Sequence, residues 1–427
     1  MVTQTTVKRT PIRTQLDVLM GSSVKKLGKL IFVKDGQREY SQFAYSEEWL
    51  LDTQYFDVSP DLNRQMGYQL RKASTNKDSC FFMAMADTEP DAWGRRVIAR
   101  KHAKARAQDK SLRQLTHLDY LGAVDDFSRI GALRLRDEKG NYMGSGDPSS
   151  RSTPAFFELE KILLASRAVE LSKETTEDLT YLQGKGTSLG GMRPKCTILD
   201  VDGALSIGKF PSVNDERAVT RGEVLALRLA KLAGIDSAPA RIVMVKEQPV
   251  AMIRRFDRTP VQNRIPYISG STFLQANRED EHSYTEIIDV MRSKCENFVQ
   301  DSRQLWRRLV FNLLITNVDD HLQNIGFLYS GNNQWRLAPA FDLNPFPDKD
   351  PESKTWLSED SGPIASIDQL LQYASQFELS QSQAQSIVGE VFGALRLWKE
   401  IAITPEVGLQ AHEINAFKPA FKTNGAY

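Results

Sequence analysis

Three cysteines in 427 residues, Cys80, Cys196 and Cys295, stand far apart and form no C-x-x-C pair. That usage argues against a disulfide framework and a zinc site, and it suits a reducing compartment. No stretch approaches the roughly 18 apolar residues that a membrane-spanning helix needs. The opening segment, MVTQTTVKRTPIRTQ, is positively charged but has no apolar segment behind it, so it does not read as a secretory signal. Neither sign of charge is in excess: 55 basic against 54 acidic residues leave a net charge of +1. No global field therefore draws the chain to nucleic acid or to a lipid surface, and any basic surface must be local. There is no internal repeat at a period of about 20–50 residues, and no G-x-x-x-x-G-K-[ST] phosphate loop. What remains is an ordinary globular composition, 41% hydrophobic and 26% charged, which is enough to bury a sizeable core. The expectation is a cytoplasmic protein of two domains, without membrane contact.

Along the chain, residues before about Gln15 are polar and read as a loose tail. Leu27–Val33 and Tyr40–Tyr45 read as strands around the Asp35-Gly36 turn. From Trp93 the pattern turns helical, with Val97, Ile98, Lys101 and Ala105 on a basic amphipathic run to Lys110. Such a run could touch DNA phosphates, but it is more commonly a solvated helix face. Residues 138–154, EKGNYMGSGDPSSRSTP, are crowded with Gly, Ser and Pro and give the expected boundary, 1–149 against 150–427. Beyond it, Ile162–Leu171 reads as a helix. The glycine-rich segment Gly184–Lys195 follows, then a hairpin from Cys196–Leu199 through Asp202-Gly203 to Leu205–Phe210. Arg217–Ala233 is helical with Gly234 as its stop, and Ala240–Val245 and Val250–Ile253 are strands. Helices are expected at Leu305–Ile315, Ile367–Phe377, Gln383–Ile401 and Val407–Phe417, interrupted by a small hairpin over 326–337. The class is α+β, a strand-rich first part feeding a mainly helical second lobe.

The most informative run is Asn317-Val318-Asp319-Asp320-His321-Leu322-Gln323-Asn324, between an apolar helix and the hairpin. Asp319 and Asn324 have the D-x-x-x-x-N spacing in which a carboxylate orients an attacking hydroxyl and an amide oxygen holds Mg²⁺. The hairpin returns the chain to Phe341-Asp342, where a carboxylate can bind a metal bridging nucleotide phosphates. Helix, loop, hairpin and Phe-Asp in that order suit phosphoryl transfer from ATP better than an accidental cap or turn. Upstream, the bare amides of Gly184–Lys195 could approach phosphate oxygens, though the segment only half matches G-x-G-x-x-G. Lys209, ending its strand, is placed to meet phosphate charge, and Glu223 one helix later could pair with it. Glutamates near a helix start are also common for dipole reasons.

The ordered set resembles the HipA-type toxins, serine/threonine kinases of bacterial type II toxin–antitoxin modules. The residues that carry the resemblance begin in the first part with Phe81-Phe82, Asp87, Pro90 to Arg96 and Arg129 to Leu133. In the second part they are Ser188 to Lys195, Lys209-Phe210-Pro211, Arg255 to Arg258, Asp319 to Asn324 and Phe341-Asp342. The resemblance implies a HipA-like kinase fold with Asp319 as catalytic carboxylate and with Asn324 and Asp342 holding Mg²⁺. It implies an ATP site made by Leu189, Gly190, Gly191, Met192, Arg193, Pro194, Lys195, Lys209, the hinge Arg254-Arg255-Phe256, His321, Leu322, Gln323, Asn324 and Phe341. It places an autophosphorylated serine at Ser188, whose charge could eject the glycine loop from the site. It also implies a HipB-like, helix-turn-helix antitoxin as partner, DNA contact through that complex, and a protein substrate such as an aminoacyl-tRNA synthetase.

Two positions depart from the pattern: Gln323 stands where a lysine is common, and Arg254 where an acidic side chain can occur. His321, inside the loop, is expected to be structural rather than a general base. The alternatives are a catalytically silent corepressor bound to antitoxin and operator DNA, and a small-molecule kinase sharing the same loop.

Overall fold

The computed structural model describes residues 11–73, 75, 78–145, 153–185, 191–276 and 280–421. The first part is built on an antiparallel sheet of order β4-β3-β2-β1-β5. Its strands are β1 (Ile12–Met20), β2 (Lys25–Asp35), β3 (Arg38–Tyr45), β4 (Gln69–Lys72) and β5 (Leu133–Arg136). In β1 the alternating Leu16, Val18 and Met20 are buried and their polar neighbours less so, the period-two signature of a sheet with one face on a core. The supposed tail thus contributes a strand from Ile12, because the partner that makes it a strand, Lys34, lies in β2. Asp35 and Arg38 close the β2–β3 hairpin with Gly36 at φ +61°, as the turn signal required. Gly28 faces a register shift in β1, and a Cβ there would fall 2.2 Å from the carbonyl oxygen of Ala44, so the strands can approach only at a glycine.

The helix Ala92–Gln108 starts on Asp91, whose side chain accepts from the backbone N–H of Gly94 at 2.7 Å. Trp93 and Val97 on its inner face share a core with Leu179, Leu182, Cys196, Phe210 and Met252 of the second part. Its basic face is engaged locally. Arg100 bonds Glu174 at 3.0 Å and the carbonyl of Val169 at 2.8 Å, and Arg95 pairs with Glu89. The expected boundary segment falls partly on 146–152, outside the described residues.

The second part opens on an antiparallel sheet of order β6-β7-β9-β8, formed by β6 (Lys195–Leu199), β7 (Leu205–Lys209), β8 (Ala240–Val245) and β9 (Gln248–Arg254). The helix Val219–Leu232 lies against it, burying Val224, Leu225, Leu227 and Leu229. The central helix of the lobe, Phe298–Leu314, buries Leu305, Trp306, Leu309, Val310 and Phe311. Beside it a three-stranded sheet runs β10 (Tyr267–Ser269), β11 (Gly326–Gly331), β12 (Gln334–Leu337). The small hairpin of the sequence thus gains a third strand too short to carry a period. A two-stranded ribbon, β13 (Trp356–Ser358) and β14 (Gly362–Pro363), follows.

The C-terminal helices are more broken than their periodicity suggests. Ile367–Gln372 tightens into a 3₁₀ turn over Ala374–Phe377, Gln381–Arg396 and Trp398–Ala402 are separated at Leu397, and the last helix begins only at Ala411. Gly408 at φ +67° stops any extension of that helix back toward Val407.

An ion cluster ties the two parts together. Arg255 is 6% exposed; it bonds the carbonyls of Ser128 and Arg129 and pairs with Asp257 at 2.6 Å. Arg258 pairs with the same carboxylate at 2.6 Å, and Asp257 accepts from the backbone N–H of Gly131 at 2.8 Å. Burial alone would raise the pKa of Asp257, but the two guanidinium groups reverse this and hold it far below the usual carboxylate range. Asp257→Asn keeps the shape and strands two buried cations. It should cost about 3–5 kcal/mol, read as a lowered urea midpoint. A loss below about 1 kcal/mol would mean that solvent already neutralises the cluster.

Candidate active site

Lys209 is the last residue of β7 and pairs in register with Lys195 of β6. Its ammonium lies 2.6 Å from Oε1 of Glu223 on the helix behind the sheet and 2.7 Å from Oδ1 of Asp342, which follows β12. Burial by itself would lower the lysine pKa. The carboxylates of Asp342 and Glu223 override it and keep the ammonium charged well above the ordinary value. Burial would likewise raise Asp342, but Lys209 and then Lys195 hold it far below the usual range. Glu223, deepest of the three, is raised by burial with Lys209 opposing. Its place near a helix start is therefore not a dipole effect; it is the partner of the strand lysine.

Asp342 adopts φ +54°, a conformation uncommon outside glycine. Neighbouring contacts fix it there. Ala340 N donates to Asp236 O at 2.7 Å, Ala238 N to Ala340 O at 2.9 Å, and Asn344 Nδ2 to Asp342 Oδ1 at 3.1 Å. Asn344 sits on Asn317, whose Oδ1 accepts its backbone N–H at 3.4 Å and whose Nδ2 returns to Asn312 Oδ1 at 3.1 Å. One asparagine thus couples the end of the central helix to the segment carrying Asp342.

In the loop after that helix, Asn324 Nδ2 donates to the Asp319 carbonyl at 2.6 Å. This sets the five-residue step and leaves the asparagine's amide oxygen as its remaining acceptor. Asp319 is half-exposed and its carboxylate bonds the ammonium of Lys354. Asp320 points the other way and is 4% exposed, accepting from Tyr284 Oη at 2.8 Å and from the Lys354 backbone N–H at 2.7 Å. Burial pushes its pKa up to about 6. The His321 ring is 3.9 Å from Asp319, its pKa lowered chiefly by burial, and its Nδ1 is buried without a hydrogen-bond partner. Its carbonyl, by contrast, accepts the Asn324 N–H at 2.8 Å, a loop-shaping role carried by backbone rather than ring.

Lys209, Glu223, Asp342, Asn324, His321 and Lys354 line one cleft of about 770 Å³, and Asp319 stands beside it on the ammonium of Lys354. Ile207, Ile253, Phe256, Tyr267 and Phe341 form its apolar end, with the rings of Phe256 and Phe341 5.5 Å apart. Leu322, Gln323 and Asn324 lie along the wall shared with Asp342, while Phe81, Met83, Asp87 and Asp91 come from the first part of the chain. Of the hinge triplet, Phe256 presents its ring, whereas Arg254 is spent on Asp202 at the hairpin tip and Arg255 on the cluster described above.

Of the glycine-rich segment, Ser188, Leu189 and Gly190 lie outside the described residues. Gly191 O accepts the Trp93 N–H at 3.3 Å, Met192 is exposed, Arg193 pairs with Asp215, and Pro194 O accepts the Phe210 N–H at 2.9 Å. Lys195 is buried, 3.4 Å from Asp91. Asp91, Asn344 and Lys354 were not given a site role in the sequence, although Asp91 lies within the segment Pro90 to Arg96. Asp91 had a signal, an N-cap before an apolar helix start, and Asn344 stood beside Phe341-Asp342. Lys354 had none, because its place depends on where a distant loop folds.

Residues 187–398 match the HipA-like C-terminal domain family. Y4mE of Sinorhizobium fredii, named as a candidate kinase, is 25% identical over 329 residues, covering 70% of this chain and 71% of that protein. A candidate kinase of Haemophilus influenzae is 25% identical over 188 residues, 38% of this chain and 55% of that protein. A chain from the solved complex of the Shewanella oneidensis toxin–antitoxin proteins HipA and HipB with operator DNA superposes with a TM-score of 0.64. The superposition is at 15% identity and covers 95% of this chain and 94% of that one, a shared fold. No helix among the described residues is long and apolar enough to cross a membrane.

Asp320 gives the site a pH signature. A folded pKa near 6, against about 3.9 unfolded, means that the native state binds this proton more tightly. The group therefore favours the fold at low pH, and that contribution is lost as pH rises from about 4 to about 6. Asp320→Asn does not titrate. Its destabilisation relative to wild type should be larger at pH 4 than at pH 7, by roughly 2–3 kcal/mol, in urea titrations at both pH values. A pH-independent difference would place the carboxyl in a more polar setting than its burial implies.

Proposed function

We propose, from the premise that residues 187–398 belong to the HipA-like C-terminal domain family, that this chain is an ATP-dependent kinase whose acceptor is a protein serine or threonine hydroxyl. The observation that carries the reading is the placement of Lys209 between Glu223 and Asp342 in the cleft also lined by Asn324 and by Lys354, whose ammonium bonds Asp319. Adenine would lie at the apolar end against Phe256, Ile207 and Ile253. The triphosphate would run toward Lys209, under the segment that includes Leu189 to Lys195.

The donor set fits a hard divalent cation held mostly by phosphate oxygens. Asp342 offers a carboxylate kept ionised by two lysines, Asn324 offers an amide oxygen, and no cluster of three or more His, Cys, Asp or Glu among the described residues could hold a metal unaided. Bound Mg²⁺ would neutralise charge between the phosphates. Asp319, partly exposed and paired with the cleft-lining Lys354, is the carboxylate left to accept the hydroxyl proton, since Asp320 is turned inward to Tyr284. The acid–base role therefore falls to one carboxylate, with the neutral His321 beside it.

On this reading the chain is the toxin of a cytoplasmic toxin–antitoxin pair. A HipB-like antitoxin restrains it and links it to DNA, and Ser188 is an autophosphorylation site. What supports the pairing is the fold shared with the Shewanella chain, which was solved together with HipB and operator DNA. The target protein is one whose modification arrests growth.

The decisive experiment mixes the purified chain with Mg²⁺ and γ-labelled ATP. Label should appear on Ser188 and disappear in Ser188→Ala. Asp319→Asn should bind ATP within about twofold of wild type and transfer at least about 100-fold more slowly. A wild-type chain that binds ATP yet labels neither itself nor any protein of a cell extract sinks the kinase reading.

A further inference from the structure

The loop that carries Asp319 has no cation of its own: its members are two aspartates, a histidine whose charge burial disfavours, leucine, glutamine and asparagine. A carboxylate facing the γ-phosphoryl group sets like charges against each other, and a positive group between them relieves this. The described cations lining the cleft are mostly committed elsewhere. Lys209 lies between Glu223 and Asp342, Arg254 faces Asp202, Arg255 faces Asp257, Arg95 faces Glu89 and Arg71 faces Asp61.

Lys354 differs, because its ammonium rests on Asp319 itself. Its backbone is held while its side chain is largely exposed. The Lys354 N–H donates to Asp320 Oδ1 at 2.7 Å, Thr355 Oγ1 to the Asp320 carbonyl at 2.7 Å and the Trp356 N–H to the His282 carbonyl at 2.9 Å. The side chain is 56% exposed along the cleft. With its backbone anchored, a flexible, exposed lysine stem can carry its ammonium from the carboxylate to a phosphate oxygen without moving the fold.

We infer that Lys354 is a catalytic residue of the phosphoryl transfer, supplying from the segment after Asp342 the positive charge that the loop lacks at Gln323. The inference rests on the kinase reading above. In the step, the acceptor oxygen bonds to the γ-phosphorus as the bond from that phosphorus to the β,γ-bridging oxygen breaks. The hydroxyl proton passes to Asp319, and ADP departs with the electron pair. Lys354 first orients Asp319, then bears on the γ-phosphoryl oxygens as charge redistributes over them.

The test uses the full chain with Mg·ATP, following ADP release and label transfer, nucleotide affinity and thermal midpoint in parallel. Lys354→Ala should slow transfer about 10–100-fold with affinity within about twofold and an unchanged midpoint. Lys354→Arg should retain more activity than Lys354→Ala, and adding Gln323→Lys to Lys354→Ala should restore about tenfold. A rate unchanged or raised in Lys354→Ala overturns the inference, because the ion pair is then ornamental or a brake. So does a loss of midpoint and affinity that Gln323→Lys fails to rescue, which marks a structural residue. A wild-type chain without any transfer removes the kinase reading and this one together, whereas an active wild type with an undiminished Lys354→Ala removes only this one.

Discussion

Three charges from three elements meet inside this protein: Lys209 from the end of a strand, Glu223 from the helix behind the sheet, and Asp342 from the segment after a hairpin. Ions taken out of water lose several kcal/mol of hydration each and recover it only if their geometry is right. The cluster therefore constrains everything around it. The β6–β7 register sets where the ammonium emerges, and the packing of Val224, Leu225 and Leu227 sets the height of the glutamate. Asn344 and Asn317 hold Asp342 in its left-handed conformation against the end of the central helix. A shift in any of them would leave a buried charge unpaired. That cost explains why an uncommon backbone conformation is tolerated at Asp342.

The first part of the chain supports the same site from outside. Its helix start reaches the glycine-rich segment through the Trp93 N–H and reaches Lys195 through Asp91, while Arg255, Arg258 and Asp257 lock the segment after β9 to Ser128, Arg129 and Gly131. Interfaces within a chain that rest on exposed polar contacts allow domain motion. Here the joining ions are nearly all buried, so the cleft's roof and floor are held in one geometry. The triplet Arg254-Arg255-Phe256 shows the division of labour: all three border the cleft, but Phe256 alone offers it an uncommitted group, while Arg254 closes a hairpin tip and Arg255 fastens the two parts together.

Much of the site was readable from local pattern. Asp319 and Asn324 share a loop, Phe341-Asp342 returns on a hairpin whose turn residues are explicit, and Lys209 and Glu223 sit on elements with clear periodicity. What escaped was set by long-range contact. β1 is a strand only because Lys34 and its neighbours lie opposite it, β10 is too short to show alternation, and Leu397 and Gly408 break helices whose apolar spacing runs on past them. Arg255 looks like its neighbour Arg254 in sequence, and only the burial of one and the exposure of the other distinguish a clamp from a surface pair. The Ser188 proposal draws nothing from geometry, since that residue lies outside the described part of the chain.

Neighbouring carboxylates can be given opposite tasks by their surroundings, and this protein does so. Asp342 is partly and Asp320 fully shielded from water, yet one is held ionised and the other is pushed up to about 6. Desolvation acts on both in the same direction, so it cannot be the cause of the difference. The cause is the lysine pair beside Asp342, where Asp320 has only a phenol and backbone N–H groups. A carboxylate kept charged in a low-dielectric pocket is suited to hold a cation, and one whose charge is costly is suited to pin a loop by hydrogen bonds. Asp319, next in the chain to Asp320 but partly exposed, belongs to neither case. It is partly exposed, and its carboxylate bonds the ammonium of Lys354. Position along the chain separates these three aspartates far less than the company each one keeps.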